Sequence, residues 1–148
     1  MIVLQHNQIT KKSIPVAFIQ QIQDTIPAMA DLCRQKIGHY NRGLAIAHCQ
    51  FDAINPMTFF VMADGSAVVN PKIITVSEKS LIDHMEGCMS FKDRKPICVK
   101  RYRRIKVNYI FVSNDGHYKT VEKWVNDQFA FIMQHEIDHF NLKYIYEN

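Results

Sequence analysis

Apolar residues recur at helical spacing in two long runs of the chain. The first run covers residues 16–37, and we expect a helix there that ends at Gly38. Because Pro27 lies inside this run, we expect either a kink or two shorter helices. The second run covers residues 121–142, and its apolar residues lie around most of the helical circumference. This pattern predicts a helix that is buried on nearly every side.

Between these runs the pattern changes to short segments that are rich in β-branched and aromatic residues. Ala63-Asp64-Gly65 is a favourable turn sequence for a hairpin between the first two segments. Asn70-Pro71 is expected to end that hairpin. The predicted strands are 58–62, 66–69, 72–76 and 98–112, with 118–121 leading back to the second helix. This order predicts an α+β fold with antiparallel β-sheets packed around a central buried helix, and with an N-terminal helix.

The composition is that of a globular protein. The 148 residues fit a single catalytic domain, 1–148, with 47% hydrophobic and 22% charged residues. No apolar run is long enough to span a membrane, and the N-terminus lacks a signal-peptide pattern, so we expect a cytoplasmic protein without a membrane partner. The cysteines at 33, 49, 88 and 98 show no CxxC spacing, which favours free thiols.

The positive charge is concentrated in one segment. The net charge is +4, and residues 92–106 hold much of the excess. Clustered cations can bind nucleic acid through counterion release, whereas the alternative is the solvated face of a strand. We favour the solvated face.

The second helix contains the sequence QHEIDHF, residues 134–140. His135 and His139 are four positions apart and share one helix face, so both rings can reach a single metal ion, with Glu136 beside it. The alternative is a chance pattern of ordinary helix residues. In a buried helix, however, these three polar groups are costly to leave unpaired, and a metal ion would explain them together.

Two histidines leave such a site one protein ligand short. Catalytic zinc-like sites usually take three, so the third ligand is another His, an Asp or Glu, or a thiolate. Cys88 stands out among the candidates because of its neighbours in Glu86-Gly87-Cys88-Met89-Ser90.

Three separated segments resemble the signature motifs of peptide deformylases, in the order of that family. They are GLAIAHCQ at 43–50, EGCMS at 86–90 and QHEIDHF at 134–140. The resemblance implies a metal-dependent hydrolase that removes the formyl group from the N-terminal N-formylmethionine of nascent polypeptides and releases formate. It also implies a compact form without a further C-terminal helix, similar to deformylases encoded by viruses of bacteria.

The resemblance assigns roles to individual residues. It implies that Cys88, His135 and His139 bind one divalent metal ion, and that Glu136 moves the proton of a metal-activated water. It further implies that the Gln50 amide and the Met89 backbone N–H stabilise the developing oxyanion. A thiolate ligand favours Fe(II) or Zn, with Ni or Co as substitutes, and the family implies Fe(II) in cells.

Further residues are implied around this centre. Glu86 would pair with Arg101, although the alignment also admits Lys100. The resemblance also implies a pocket for a methionine-like side chain. Each candidate for its lining could equally be an ordinary residue of the hydrophobic core. The substrate-binding candidates are Gly43, Leu44, Ala45, Met89, Phe131 and Ile132.

Several positions depart from the family pattern. Ala45 stands where a second glycine is typical, and His48-Cys49 replaces alanine-proline. His48 lies either near the active site or, as we favour, in solvent or bonded within the core. Leu142 replaces a frequent glycine after the helix.

We expect a monomer that acts on N-formylmethionyl peptides of nascent chains. Docking on the ribosome would not use a C-terminal helix, and a basic strand at 100–106 is the substitute that the sequence offers. The rival functions are an HExxH metallopeptidase and a non-catalytic module that binds the ribosome or RNA. Activity on unformylated peptides would mark the first, and salt-sensitive RNA binding that survives metal removal would mark the second.

Overall fold

The computed structural model describes residues 3–35, 44–91 and 93–146. Within these ranges the chain forms two α-helices and seven strands. Their bounds are α1 (Thr25–Arg34), β1 (Ala45–Ala47), β2 (Phe59–Met62), β3 (Ala67–Val76), β4 (Leu81–Glu86), β5 (Ile97–Tyr102), β6 (Arg104–Val112), β7 (Tyr118–Asn126) and α2 (Asp127–Phe140). Neither helix has the length or apolar composition that a membrane-spanning segment needs.

The strands form two antiparallel sheets. The larger sheet has the order β1-β2-β3-β6-β7, and β4 and β5 pair as a separate two-stranded sheet. The predicted α+β class with antiparallel sheets is therefore confirmed.

The large sheet separates two hydrophobic clusters. Neighbouring residues of a strand point to opposite faces, so Val69 joins the cluster under α1 whereas Val68 joins the cluster under α2. Ala130 and Met133 of α2 are fully buried in the second cluster. This packing holds α2 between the large sheet and the β4–β5 pair.

The first predicted helix begins later than expected. Residues 19–21 form a separate turn of 3-10 helix, and α1 starts at Thr25. Pro27 therefore lies in the first turn of α1, where a missing N–H removes no intrahelical hydrogen bond. The predicted end at Gly38 lies outside the described residues.

The strand boundaries differ from the prediction at two points. The predicted strands 66–69 and 72–76 form one strand, β3, which begins at Ala67 and continues through shifts of register near Asn70. Asn70 has a φ of 50°, and its side chain accepts a hydrogen bond from the Val16 N–H at 2.8 Å and donates one to the Val16 carbonyl. The chain therefore bends there without leaving the sheet.

The predicted strand 98–112 is two strands, and one strand escaped prediction. The break falls at Arg103, where β5 leaves the small sheet and β6 enters the large one. β4 was not predicted, because three of its residues, Asp83, His84 and Glu86, are polar and make the stretch look like a loop.

The second helix is shorter than predicted and less completely buried. Residues 121–126 are the end of β7, and α2 begins at Asp127. Trp124, which made the run look apolar all round, lies on this edge strand and is 37% exposed. The side chains of Phe131, Ile132 and Ile137 are only half-buried. The open side of α2 is the side that faces the cavity described below.

Candidate metal centre

The described residues bring one thiol and two imidazoles together between α2 and the loop after β4. Cys88 lies in that loop, and His135 and His139 lie one turn apart on α2. One ligand atom from each of the three lies within 4.8 Å of the others, and Cys88 Sγ is 3.4 Å from His139 Nε2. The three sequence-predicted ligands therefore meet at one point.

These residues fit a bound metal ion. A thiolate with two imidazoles is a donor set that suits zinc or ferrous iron and leaves a fourth position open. Beside it, Glu136 Oε2 is buried and has no hydrogen-bond partner among the described residues. Such an orphaned carboxylate oxygen is costly in a protein interior unless a water or an ion completes its surroundings.

Glu86 orients the first imidazole. Its Oε1 accepts a hydrogen bond from His135 Nδ1 at 2.8 Å, which leaves His135 Nε2 available to a metal ion. Arg101 holds the same carboxylate through two hydrogen bonds, from Nε to Oε2 at 2.9 Å and from Nη2 to Oε1 at 3.0 Å. Burial alone would raise the pKa of Glu86, but these hydrogen bonds outweigh it and lower the pKa to about 2.

Of the two basic residues that the sequence offered as partners for Glu86, the structure selects Arg101. Arg101 is 8% exposed and also donates to Asp138 Oδ2 at 2.9 Å, so it connects β5 to α2. Lys100 points the other way and pairs with Asp83 on the surface.

The protonation of Glu136 is tuned by its surroundings. Burial raises the pKa of this carboxyl to about 7, against the opposing effect of the nearby His135. A carboxyl with a pKa in this range can both accept and return a proton near neutral pH.

The Gln50 amide is held in one orientation at the same centre. Its Oε1 accepts a hydrogen bond from the Ala47 N–H at 2.9 Å, so its nitrogen is the atom that faces Ser90 Oγ, at 3.0 Å. One amide hydrogen is used by Ser90, which leaves the second available to an acceptor. The Met89 N–H is a second donor, because it has no hydrogen-bond partner within the described part of the chain.

A cavity of ≈ 430 Å³ opens beside these groups. Leu44 stands at its rim, 52% exposed, whereas Ala45 and Met89 are buried in its wall. Gly43 lies outside the described residues. The lining is Leu44, Ala45, Gln50, His84, Met85, Glu86, Gly87, Cys88, Met89, Gln128, Phe131, Ile132, His135 and Glu136.

Three lining residues were missed by sequence reasoning, namely His84, Met85 and Gln128. The first two lie on β4, the strand that escaped prediction. Had β4 been recognised, the alternation of side chains would have placed His84 on the same face as Glu86. Gln128 lies in the first turn of α2, a stretch that the prediction placed well inside the helix.

Of the altered residues of the first motif, Ala45 lines the cavity, whereas His48 and Cys49 lie in the core. His48 is buried, accepts a hydrogen bond from the Met57 N–H at 2.9 Å through Nδ1, and stacks on Phe59. The Cys49 thiol donates to the His139 carbonyl at 3.8 Å and so contacts α2 on its buried side.

The basic segment does not present one positive surface. Arg101 is buried, Arg103 pairs with Asp127, and Arg104 stacks over Trp124. With Lys100 paired to Asp83 as well, three cations of this segment, Lys100, Arg101 and Arg103, have carboxylate partners.

Comparisons with known proteins agree with this geometry. The family model for polypeptide deformylase matches residues 1–148. A peptide deformylase of Desulfotalea psychrophila is 45% identical over 74 residues, which are 50% of this chain and 40% of that protein. The chain therefore spans well under two thirds of the length of that curated relative.

Solved structures match over nearly the whole chain. The crystal structure of peptide deformylase from Thermotoga maritima superposes with a TM-score of 0.76 at 30% identity, covering 97% of this chain and 92% of that one. A probable peptide deformylase from Synechococcus phage S-SSM7 superposes with a TM-score of 0.76 at 25% identity, covering 96% of this chain and 95% of that one.

Proposed function

The chain belongs to the polypeptide deformylase family, and we propose that it hydrolyses the formamide of N-formylmethionyl peptides to release formate. The resemblance inferred from the three sequence motifs is thus confirmed at the level of the family. The convergence of Cys88, His135 and His139 beside the unpartnered Glu136 oxygen is the observation that supports this activity most directly.

The family uses a divalent metal ion, and in our proposal Cys88, His135 and His139 hold it. When bound, such an ion lowers the pKa of a coordinated water and polarises a carbonyl oxygen. The thiolate makes Fe(II) the ion we propose in cells, with Zn, Ni or Co able to occupy the same donors. Glu86 keeps the His135 ring in the ligating orientation.

In this mechanism Glu136 carries the proton. Its buried Oε2 accepts the proton of the attacking water and returns it to the amine that leaves. Its pKa of about 7 matches both halves of that task, since a general base works best when its pKa is near the working pH.

Gln50 and Met89 provide the donors for the developing oxyanion. Both groups line the cavity, and each has a hydrogen that the described residues leave unused. Donors that are fixed before the reaction lose nothing to reorganisation when charge develops, which is the reason they stabilise the transition state.

The cavity accounts for the substrate class. Its apolar wall, formed by Leu44, Met89, Phe131 and Ile132, suits an unbranched apolar side chain next to the formyl group. We propose that Ala45 and Gly43 contribute backbone contacts to the same substrate. Nascent chains are the natural source of such peptides, and we propose that the protein acts on them as a one-domain monomer, with or without contact to the ribosome.

The rival functions have less support. A metallopeptidase would use the same two histidines, but the cysteine ligand and the family match favour the deformylase. An RNA-binding module would need an exposed basic surface, whereas Lys100 and Arg103 are paired with carboxylates and Arg101 is buried.

The test is formate release from formyl-Met-Ala-Ser by anaerobically prepared protein loaded with Fe(II) or Ni(II). Glu136→Gln keeps the shape of the side chain but cannot accept a proton, so we expect bound metal with formate release reduced at least about 100-fold. Glu122→Gln, the same substitution at an exposed residue of β7, serves as the matched control. Absence of release from folded, metal-loaded wild type would contradict the proposal.

A further inference from the structure

His84 lies on β4 and contacts two residues of the site, Glu86 behind the metal centre and Phe131 in the cavity wall. The side chains of β4 alternate, so His84 and Glu86 face α2 whereas Met85, 61% exposed, faces outward. The His84 side chain is about one third exposed, at 32%, and lines the cavity.

The first contact of His84 is with the carboxylate that orients a metal ligand. His84 Nδ1 lies 2.9 Å from Glu86 Oε2. Because Arg101 grips Glu86 through two hydrogen bonds, this carboxylate is ionised and can only accept, so His84 Nδ1 is the donor. Each oxygen of Glu86 then receives two hydrogen bonds, one from Arg101 and one from a histidine: His135 at Oε1 and His84 at Oε2.

The second contact is with the cavity wall. The ring of His84 stacks on Phe131, with 4.0 Å between centroids and 27° between planes. Phe131 lies one helical turn before His135, so the two residues share one face of α2. His84 therefore touches the wall of the cavity at one edge and the support of the metal ligand at another.

We infer that His84 is a positioning and specificity-determining residue, whose ring fixes Phe131 against the substrate side chain and whose Nδ1–H fixes Glu86 behind His135. The role of His84 towards the substrate rests on the proposed function. Its role in holding Glu86 behind His135 rests on the contacts alone.

The stacked pair also predicts a preference within the substrate class. Two parallel rings form a flat, polarisable wall, and a thioether makes favourable contacts with aromatic rings at about 5 Å. A methionine side chain therefore gains more from this wall than norleucine, which has the same length without sulfur. Loss of the stack should reduce that preference.

Two substitutions separate the two roles of His84. His84→Phe keeps a ring over Phe131 but removes the N–H, so we expect the KM for formyl-Met-Ala-Ser to stay within about twofold while the Kd for Co(II) rises about 3- to 10-fold. The visible spectrum of the Co(II)-thiolate protein should shift as well, because His135 loses part of its support. His84→Asn keeps a short donor but removes the ring, so we expect the KM to rise about 3- to 10-fold with the Kd for Co(II) within about twofold.

His117→Ala is the matched control, because His117 lies in the exposed turn between β6 and β7, with 90% of its side chain accessible. It should leave the KM, the Kd and the spectrum unchanged. Melting temperatures of all variants show whether each is folded, and His84→Gln replaces His84→Asn if the latter does not fold.

The inference is overturned if His84→Phe and His84→Asn both change the KM or both change the Kd for Co(II). It is also overturned if neither substitution changes either quantity. If wild type binds Co(II) but releases no formate, the proposed function fails. The Kd for Co(II) and the spectrum of His84→Phe then still decide whether His84 supports the metal centre.

Discussion

Arg101 offers the sharpest test of how the metal centre is supported. Its guanidinium makes two hydrogen bonds to Glu86 and one to Asp138, and only 8% of the residue is exposed. Arg101→Met keeps most of the volume and removes the charge together with all three hydrogen bonds. Glu86 is then left in a buried position with the donors of His84 and His135 only.

The size of the effect follows from the charge that is left behind. Removing one partner of a buried ion pair typically costs about 3–5 kcal/mol, and the two histidine donors that stay place this case near 3 kcal/mol. Hydrogen bonds from His135 and from Arg101 together lower the pKa of Glu86 to about 2, so the variant keeps the part that His135 contributes. In a domain of this length we expect the melting temperature to fall by about 6–12 °C.

The assay is urea unfolding of the metal-free protein, so that stability is separated from metal affinity. Lys100→Met is the matched control, because Lys100 is the neighbouring residue and its partner Asp83 is also exposed. An exposed ion pair is screened by water, so we expect this variant to unfold at the urea concentration of wild type.

The same variant should also bind metal more weakly, by about 10- to 100-fold, because Glu86 loses the Arg101 hydrogen bonds that fix its position behind the His135 ring. A loss of less than about 1 kcal/mol in Arg101→Met would refute the reasoning. So would an equal loss in Lys100→Met, since the cost would then be unrelated to burial.

Three further predictions test other parts of the structure. Gln50→Ala removes one oxyanion donor, so kcat for formate release should fall about 100- to 1,000-fold with metal still bound, and an unchanged kcat would contradict that role. Removal of the metal by a chelator should lower the melting temperature reversibly, and re-addition of Ni(II) at 100 times its Kd should restore about 2.7 kcal/mol; His135→Ala should show no such response. Leu142 follows α2 with a φ of 61° in a turn closed by the Lys143 N–H to the Asp138 carbonyl, so Leu142→Gly should be more stable in urea than Leu142→Ala by about 1 kcal/mol, and the reverse order would be the contrary result.

The sequence alone was sufficient for the fold class and for the general order of an N-terminal helix, antiparallel strands and a second helix. Its errors fall where a strand lacks the usual signal or where two elements adjoin without a turn. β4 contains Asp83, His84 and Glu86 because two of these side chains serve the metal centre, so functional polarity hid its strand character. β7 runs directly into α2 at Asp127, and periodicity alone could not find a boundary without a turn residue.

For the site, the motifs identified the groups that approach the metal centre but not the contacts behind them. His135 and His139 follow from helical spacing, because that spacing is local. The contact of His84 with Phe131 joins residues 47 positions apart and depends on how β4 packs against α2, which no local pattern specifies. The choice of Arg101 over Lys100 depends likewise on which face of β5 points inward.

The helix that carries the ligands also carries the groups that fix its rotation. Gln134 and Asp138 are one turn apart and face β5: the Gln134 side chain accepts from the Tyr102 N–H and donates to the Tyr102 carbonyl, and Asp138 accepts from Arg101. His135 and His139 form the adjacent stripe.

Successive residues of a helix differ by about 100° around its axis, so this docking decides which stripe faces Cys88. A rotation of α2 by about 100° that brought Gln134 and Asp138 beside the thiol would place Met133 and Ile137 against β5 and take the Gln134 amide away from Tyr102. Because both hydrogen-bonding groups of Tyr102 are satisfied only in the observed rotation, the backbone of β5 selects it. The motif QHEIDHF thus supplies the two proposed imidazole ligands and, in its first and fifth positions, the contacts that turn them towards Cys88.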